Sequence, residues 1–283
     1  MRARSALFDL YGDHLRSRGG RAPVAALVQL LAPLGITAAA VRTAVSRMVR
    51  QGWLTPVRTA GGPGYALTDR AVRRLDEAAA RIYRTRGSEW DGTWHLLVLP
   101  HLPDRSLRER LHAGLAFLGY ARLGGDTWLA PRRSGEAESL LAADGVRPDS
   151  FTARDLGDPG ELAARAFDLA TLGRAYQQWL RDARTHVWAD PDAAAETDGV
   201  GGAGVEEVTM GDDGDRRAFA ARSRLVHEWR KFLFTDPGLP PDLLPAEWPG
   251  DAAAAYFDTH AATLLPAAAR FVDSCLTQTG GTT

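Results

Sequence analysis

The sequence is poor in the residues that build disulfide, metal and membrane sites. Cys275 is the only cysteine among 283 residues, which excludes an intramolecular disulfide and any zinc site built from cysteines. No apolar run approaches the 18 residues of a membrane-spanning helix, and the N-terminus lacks the apolar segment of a signal peptide. We therefore expect a cytoplasmic protein without membrane association, metal or cofactor.

Lysine is almost absent as well, and the arginines that replace it are unevenly distributed. Lys231 is the one lysine among 34 basic residues, which reflects GC-rich coding as much as physics. Residues 1–90 contain 15 arginines and 6 acidic residues, a net charge of +9, so the remainder carries −10 to give the overall −1. A basic N-terminal third on an acidic body is typical of a module that binds a polyanion.

Residues 36–52 form the most informative stretch of this basic third. At helical spacing its apolar residues share one arc, while the opposite arc contains only arginine, serine and threonine. Thr37 is placed as an N-cap and Gly52 as the residue after the helix. Because arginine forks match guanine edges and phosphates, we predict that this face binds DNA. The residues of this predicted DNA-binding face are Arg42, Thr43, Ser46, Arg47 and Arg50. A solvated arginine-rich surface is the alternative.

The neighbouring segments predict a winged helix-turn-helix over residues 1–87. Two helices precede the arginine-faced one, and two β-like runs around GGPG follow it as a hairpin, or wing, that carries Arg58. A further helix after Asp69 would close the domain.

The rest of the chain predicts an α+β, multidomain protein. Residues 88–158 show the order βαββαβ, which predicts a ferredoxin-like domain, and residues 159–283 predict a helical C-terminal domain. The acidic, glycine-rich segment 190–215 has the composition of a mobile loop. The ferredoxin-like plan serves sensors, dimerisation modules and some nucleases, so the fold alone does not choose a function.

Catalytic signals are missing from the sequence. It has no GxSxG, P-loop, HExxH or GxGxxG motif, and the first strand of the central domain ends in Leu99-Pro100-His101 without the carboxylates of a metal-dependent nuclease. His95 lies in an apolar strand pattern, which favours a structural histidine over a catalyst. We therefore expect no enzyme, no catalytic residue and no metal ligand.

Two motifs together resemble one protein family. They are LGI-x4-VRTAVSRMVRQGWL, preceded by LYGDHLRSRGG, and the C-terminal SRLVHEWRKFLFTDPGLPPDLLPAEWPG. Both resemble the PaaX-type transcriptional repressors of phenylacetic acid catabolism, and the resemblance covers essentially the whole chain apart from segment 190–215. It implies a homodimer that binds double-stranded DNA at a partly palindromic operator and is released by an aryl-acyl-CoA such as phenylacetyl-CoA.

The resemblance also suggests where such an effector would bind. His227, Arg230 and Asp236 match positions of the C-terminal motif, although a buried ion pair or a turn cap explains them equally well. Trp179 and Trp229 are candidates for stacking on a planar acyl or adenine group, against the alternative of core packing.

Two other functions stay open from the sequence. One is an enzyme that binds or acts on acyl-CoA and uses the N-terminal domain as a tether. The other is a protein-interaction module, against which the charge of residues 1–90 argues.

Overall fold

The computed structural model describes residues 1–82, 89–185 and 206–278. Within these ranges the protein is α+β, as predicted, with ten α-helices and two antiparallel sheets. The helices are α1 Ala3–Leu10, α2 Val24–Leu31, α3 Ala38–Arg50, α4 Asp69–Ile82, α5 Arg105–Phe117, α6 Gly135–Ala143, α7 Pro159–Ala166, α8 Leu169–Thr185, α9 Glu206–Trp229 and α10 Pro249–Gln278. The strands are β1 Arg21–Pro23, β2 Leu54–Thr59, β3 Gly62–Leu67, β4 Trp94–Val98, β5 Ala121–Gly124, β6 Thr127–Ala130 and β7 Asp149–Ala153.

The described residues group into two compact units. Unit 1 contains residues 1–82, 180–185, 206–230 and 254–278, and unit 2 contains residues 89–179 and 231–253. The three consecutive domains 1–87, 88–158 and 159–283 stay a prediction, and the first boundary lies outside the described residues. Residues 159–283, the third predicted domain, are divided between the two units.

Unit 1 begins with a helix that changes its pitch. After α1 the chain continues as a π-helical turn over Tyr11–Leu15 and a 3-10 turn over Arg16–Arg18, and it stops at Gly19 with a φ of 82°. Tyr11 donates a hydrogen bond from its hydroxyl to the carbonyl of Tyr65, 3.0 Å away. This bond links the irregular turn to the hairpin that follows α3.

A three-stranded sheet of order β1-β3-β2 completes the N-terminal part of unit 1. Strand β1 was not predicted from the sequence. The hairpin turn was placed at GGPG, residues 61–64, but it consists of Ala60 and Gly61, because Thr59 pairs with Gly62 and the next residues already belong to β3. A Cβ atom on Gly64 would lie 2.5 Å from the Ala22 carbonyl oxygen, so only glycine lets β1 approach β3 this closely.

The core of unit 1 joins residues that are distant in the sequence. Buried side chains of α1, α2 and α3 share one cluster with Phe219 of α9 and with Phe271, Val272 and Cys275 of α10. Burial of this apolar surface is the main favourable term for the association of these helices. The N-terminal helices and the C-terminal helices are therefore parts of one folded unit.

Unit 2 is built around a four-stranded antiparallel sheet of order β5-β6-β4-β7. Strands and helices alternate as β4-α5-β5-β6-α6-β7, and β5 and β6 form a hairpin with the turn Gly125-Asp126. Leu97 of β4 packs with Leu111 and Leu115 of α5 and with Leu141 of α6, all fully buried. Both helices thus contribute to the core on which this sheet packs.

The sequence pattern was wrong at two helix boundaries. Apolar residues recur at helical spacing after Gly160 and predict one continuous helix. That helix is interrupted at Phe167, because the Asp168 side chain accepts a hydrogen bond from the Thr171 amide at 3.1 Å and starts α8 anew. Residues 206–215 of the expected acidic loop are helical, since α9 begins at Glu206. Carboxylates are favourable in the first turns of a helix, and glycine content alone does not prevent one. Residues 190–205 lie outside the described part of the chain.

Candidate nucleic-acid interface

Helix α3 has defined ends, as its sequence predicts. Thr37 caps the N-terminus, where its Oγ1 accepts a hydrogen bond from the Ala40 amide at 3.3 Å. At the C-terminus Gly52, with a φ of 70°, donates from its amide to the Val49 carbonyl at 2.9 Å. The Trp53 amide donates to the Met48 carbonyl, also at 2.9 Å. This bond pair is a Schellman motif, so α3 ends at a fixed residue and leads directly into the hairpin.

The inner face of α3 is anchored in the core of unit 1. Val41, Val45 and Met48 are at most 2% exposed, and Ala44 is buried with them. Large-to-small changes at such positions usually lower stability by about 2–5 kcal/mol. The inner face therefore fixes the rotation of the helix about its axis.

The outer face of α3 contains the five polar residues that the sequence assigned to DNA. Arg42, Thr43, Ser46, Arg47 and Arg50 are all exposed. None of the three arginines forms an ion pair or a side-chain hydrogen bond with another residue in the described part of the chain. The face thus offers three guanidinium groups and two hydroxyls to an external anion.

Arg58 lies on the hairpin that follows α3. It is exposed on β2, where it pairs with Pro63 of β3, and it has no ionic partner among residues 1–82, 89–185 and 206–278. The Thr59 hydroxyl donates to the Gly62 carbonyl at 2.8 Å and closes the hairpin turn beside it. The hairpin therefore adds a fourth unpaired arginine, on a short support that is closed by a hydrogen bond.

A second set of arginines in unit 1 is buried and paired. Arg222 of α9 is 4% exposed and forms a two-pronged ion pair with Asp13, at 2.8 Å from Nε and 2.6 Å from Nη2. Its Nη1 donates to the carbonyl of Ala261 in α10. This bidentate geometry is the strongest form of a carboxylate–guanidinium contact. Sequence reasoning missed Arg222, although a charged residue within the apolar pattern of α9 was the available signal.

Asp9, four residues before Asp13, contacts His227 near the end of α9 and Arg230 directly after that helix. His227 Nδ1 lies 2.8 Å from one Asp9 carboxylate oxygen, and Arg230 binds the other. Asp9 is 6% exposed. Arg230, proposed to bind an effector, therefore already forms an ion pair with the buried Asp9 carboxylate, one of the two alternatives that the sequence left open, and His227 lies against the same carboxylate.

His14 lies next to this ionic cluster but is not charged at neutral pH. Burial lowers the pKa of His14 to about 4, and it outweighs the attraction of the neighbouring Asp13 carboxylate. Arg222 opposes protonation too, because it lies close and already neutralises Asp13. The ring of His14 instead packs against Phe219, with 5.4 Å between ring centroids.

The other three effector candidates have partners within their own units. Trp229 stacks on Phe257 of unit 1, with 4.8 Å between centroids. In unit 2 Trp179 contacts Phe232 edge-on, and Asp236 accepts a 2.5 Å hydrogen bond from the Tyr176 hydroxyl. Asp236 also accepts from the Gly238 amide at 2.7 Å, as a turn cap does. The structure thus places His227, Trp229 and Arg230 in unit 1 and the other two candidates in unit 2.

The nearest approach to a nucleophile–base pair among the described residues is at His95. Its Nε2 lies 2.8 Å from the exposed Ser150 Oγ, and its Nδ1 lies 2.6 Å from the Tyr120 hydroxyl. The Tyr120 hydroxyl also accepts a hydrogen bond from the Ser134 amide at 3.3 Å. Burial also lowers the pKa of His95. His95 thus connects β4 to Tyr120 and to Ser150 of β7 through its two ring nitrogens.

Metal-binding clusters and membrane-spanning helices are absent from the described residues. Residues 1–82, 89–185 and 206–278 contain no group of three or more His, Cys, Asp or Glu side chains placed to hold a metal ion. Over the same ranges, no helix combines the length and the apolar character needed to cross a bilayer.

Comparison with known proteins gives matches at both ends of the chain and along its length. The family model described as PaaX-like protein matches residues 2–71, and the one described as PaaX-like protein C-terminal domain matches residues 204–274. The Transcriptional repressor PaaX of Escherichia coli (strain K12) is 30% identical over 276 residues, which cover 95% of this chain and 82% of that protein. A solved structure of an uncharacterized protein from Mycobacterium tuberculosis has a TM-score of 0.61 and 27% identity, covering 96% of this chain and 98% of that one.

These similarities identify the class of protein and, within that class, the family. An α+β chain that aligns over nearly its whole length with a transcriptional repressor falls in the class of transcription regulators. Within that class the chain belongs to the PaaX-like family, which confirms the resemblance carried by its two sequence motifs.

Proposed function

We propose that the protein is a DNA-binding transcriptional repressor, not an enzyme, and that the outer face of α3 is its recognition surface. In this proposal α2 and α3 form a helix-turn-helix and the β2–β3 hairpin is its wing. Arg42, Arg47 and Arg50 enter the major groove, and Arg58 contacts the flanking backbone.

The observation that carries this proposal is the lack of partners on the outer face of α3. A surface helix ordinarily mixes acidic and basic residues, and its i,i+4 pairs stabilise it. Here the described residues supply no anion to three exposed arginines of a capped helix, while Arg222 and Arg230 of the same unit have carboxylate partners. Such a face supports binding of an external polyanion.

The proposed assembly is a homodimer, because a two-fold operator requires two recognition helices about one helical turn apart. We further propose that the β4-α5-β5-β6-α6-β7 part of unit 2 is a ferredoxin-like domain. Its all-antiparallel strand order β5-β6-β4-β7 supports that assignment, since it places the first strand between the third and the fourth.

The effector of this repressor is proposed to be an aryl-acyl-CoA, with phenylacetyl-CoA as the first candidate. The family membership supports this class of ligand. Its proposed contacts within unit 1 are His227, Trp229 and Arg230, and Trp179 and Asp236 are the candidates within unit 2. His227 and Arg230 both contact Asp9 of α1, and α1 packs on α3. An effector that drew either residue away from Asp9 would therefore disturb α1. This would couple ligand binding to DNA release.

Fluorescence anisotropy tests both parts of the proposal. Labelled DNA from upstream of the protein's own gene is titrated with protein at two salt concentrations, against a scrambled duplex of equal length. We expect binding in the nanomolar to tens-of-nanomolar range that prefers the upstream DNA and is reversed by phenylacetyl-CoA, but not by free CoA or phenylacetate. Equal affinity for both duplexes would contradict a specific repressor. Specific binding that ignores all three ligands would contradict only the proposed effector.

A further inference from the structure

Helix α4 carries a basic surface that the proposed function does not use. Arg70, Arg73 and Arg74 have the spacing i, i+3 and i+4, so they lie on one face of the helix, and all three are exposed. With Trp53 they line a groove of about 470 Å³. We call these four residues the α4 groove.

Hydrogen bonds hold the α4 groove next to the C-terminus of α3. Thr68, the residue before α4, donates from its hydroxyl to the Gly52 carbonyl at 2.8 Å and from its amide to the Trp53 carbonyl at 3.2 Å. The same hydroxyl accepts from the Ala71 amide at 3.3 Å and caps α4. One threonine thus joins the end of the proposed recognition helix to the start of the helix that carries the groove.

Aromatic contacts fix the wall of the groove. The Arg70 guanidinium lies over the Trp53 ring, 4.8 Å from its centroid, and the edge-to-face contact of Phe8 with Trp53 has a centroid distance of 5.2 Å. A cation–π contact at an exposed site contributes about 0.5–1 kcal/mol and leaves the guanidinium N–H groups free to donate in the plane. The Arg70 side chain is therefore held in place before a ligand binds.

The lining of the groove indicates what it binds. Pockets for small organic ligands are walled mainly by apolar side chains, whereas this groove has three guanidinium groups and one indole. Among the described residues Arg73 has no ion pair, and the nearby acidic Asp76 is bound to Arg16 at 2.5 Å. Asp69 is also acidic, and its place at the first helical position of α4 suits the helix dipole. Phosphate is the chemistry that this set of donors recognises.

We propose that the α4 groove binds backbone phosphates of the operator DNA, beside the base pairs that α3 contacts. This inference rests on the proposed function and adds a second contact region to it. DNA is the source of phosphate that the location favours, because Thr68 bonds the C-terminal end of α3 to the start of α4 and so places the groove beside the proposed recognition helix. The contact gives affinity without sequence preference, since phosphates are the same in every sequence.

The test is the salt dependence of DNA binding by the full-length chain. The variants are Arg73→Gln, the double variant Arg70→Gln/Arg73→Gln and Arg73→Lys, measured on upstream and scrambled duplexes. Each lost phosphate contact should reduce the slope of log K against log salt by about 0.9. We expect a reduction of about one for Arg73→Gln and about two for the double variant, with affinity falling by the same factor on both duplexes. Arg73→Lys should retain the slope.

Arg147→Gln is the matched control, because Arg147 is an exposed arginine of unit 2 without an ion pair in the described ranges. Its slope should equal that of the wild type, and urea midpoints should show that all variants fold. If the wild type binds upstream DNA specifically and the α4 variants keep its slope, the inference is wrong and the proposed function stands. If the wild type binds no DNA, both are wrong.

Discussion

The two sets of arginines in unit 1 differ in their surroundings. On α3 the arginines are exposed and have no partner in the described residues, whereas on α9 Arg222 is buried and bonded to both oxygens of Asp13. The residue type and the charge are the same. Arginine content alone therefore does not identify a binding surface. The deciding property is whether the chain itself supplies a carboxylate partner for each arginine.

The two sets should accordingly respond differently to substitution. Removing a paired buried arginine leaves an isolated carboxylate in the core and lowers the free energy of unfolding. Removing an unpaired exposed arginine leaves folding unchanged and affects only the external partner. The largest effect is therefore expected at the buried pair and the smallest at a single exposed arginine.

Arg222→Leu should lower the free energy of unfolding by about 3–5 kcal/mol, because Asp13 is left buried without a counter-charge. Urea denaturation measures the change. Arg42→Leu, which replaces an exposed arginine of α3, is the control and should shift the midpoint very little. The double variant Asp13→Leu/Arg222→Leu should recover part of the loss. Equal midpoints for Arg222→Leu and Arg42→Leu would show that the buried pair is not structural.

Stability should also fall in mild acid because of His14. Its pKa is about 4 when folded and near 6.5 when unfolded, so between these values the unfolded state binds the extra proton. The contribution of neutral His14 to the free energy of unfolding is complete above pH 6.5. It declines by up to about 1.4 kcal/mol per pH unit as the pH falls towards 4, a loss of about 3 kcal/mol in total. Urea titrations of wild type and His14→Phe at several pH values measure it. Identical pH dependence in both proteins would rule out this role of His14.

Arg47→Ala and Arg50→Ala should each weaken binding to upstream DNA by about 1–3 kcal/mol and reduce the preference over a scrambled duplex. The reason is that a base contact, unlike a phosphate contact, carries sequence information. Anisotropy measures affinity, and urea unfolding should give the wild-type midpoint. If both variants retained the wild-type preference, the outer face of α3 would not be the recognition surface.

Arg58→Ala should have the smallest effect. Loss of one backbone contact by the wing should flatten the salt slope by about one unit and weaken binding to all sequences equally. The same titrations, repeated across salt concentrations, provide the measurement. A change in sequence preference would instead place Arg58 on base edges, and an unchanged slope would remove the wing from the interface.

Local patterns in the sequence were enough to predict α3 and the succession of strands and helices β4-α5-β5-β6-α6-β7 along unit 2. Thirteen residues with one apolar and one polar face define the rotation of α3, and Thr37 and Gly52 define its ends. The turn at Gly125-Asp126 likewise marks the β5–β6 hairpin. Each of these signals acts between residues close in the chain, which is why sequence reasoning succeeds there.

Contacts between distant residues could not be predicted in this way. The pairing of Asp13 with Arg222 spans 209 positions, and no periodicity of either segment indicates the other. The three-residue strand β1 is too short for a pattern of its own and forms because Gly64 admits it to the sheet. The α4 groove was missed for the same reason, since Trp53 and Arg70 meet only after the hairpin between them has folded.

Site-directed DNA cleavage tests the central claim most directly. Ser46 lies within the exposed face of α3, and the native Cys275 is buried, so Ser46→Cys offers one accessible thiol for an iron chelate that cleaves nearby DNA. We expect cleavage of upstream DNA at discrete positions within the bound site, and none from the same chelate on Ser139→Cys, an exposed position of α6 in unit 2. Protein that binds this DNA specifically but cleaves it nowhere from position 46 would contradict the assignment of α3 as the recognition helix.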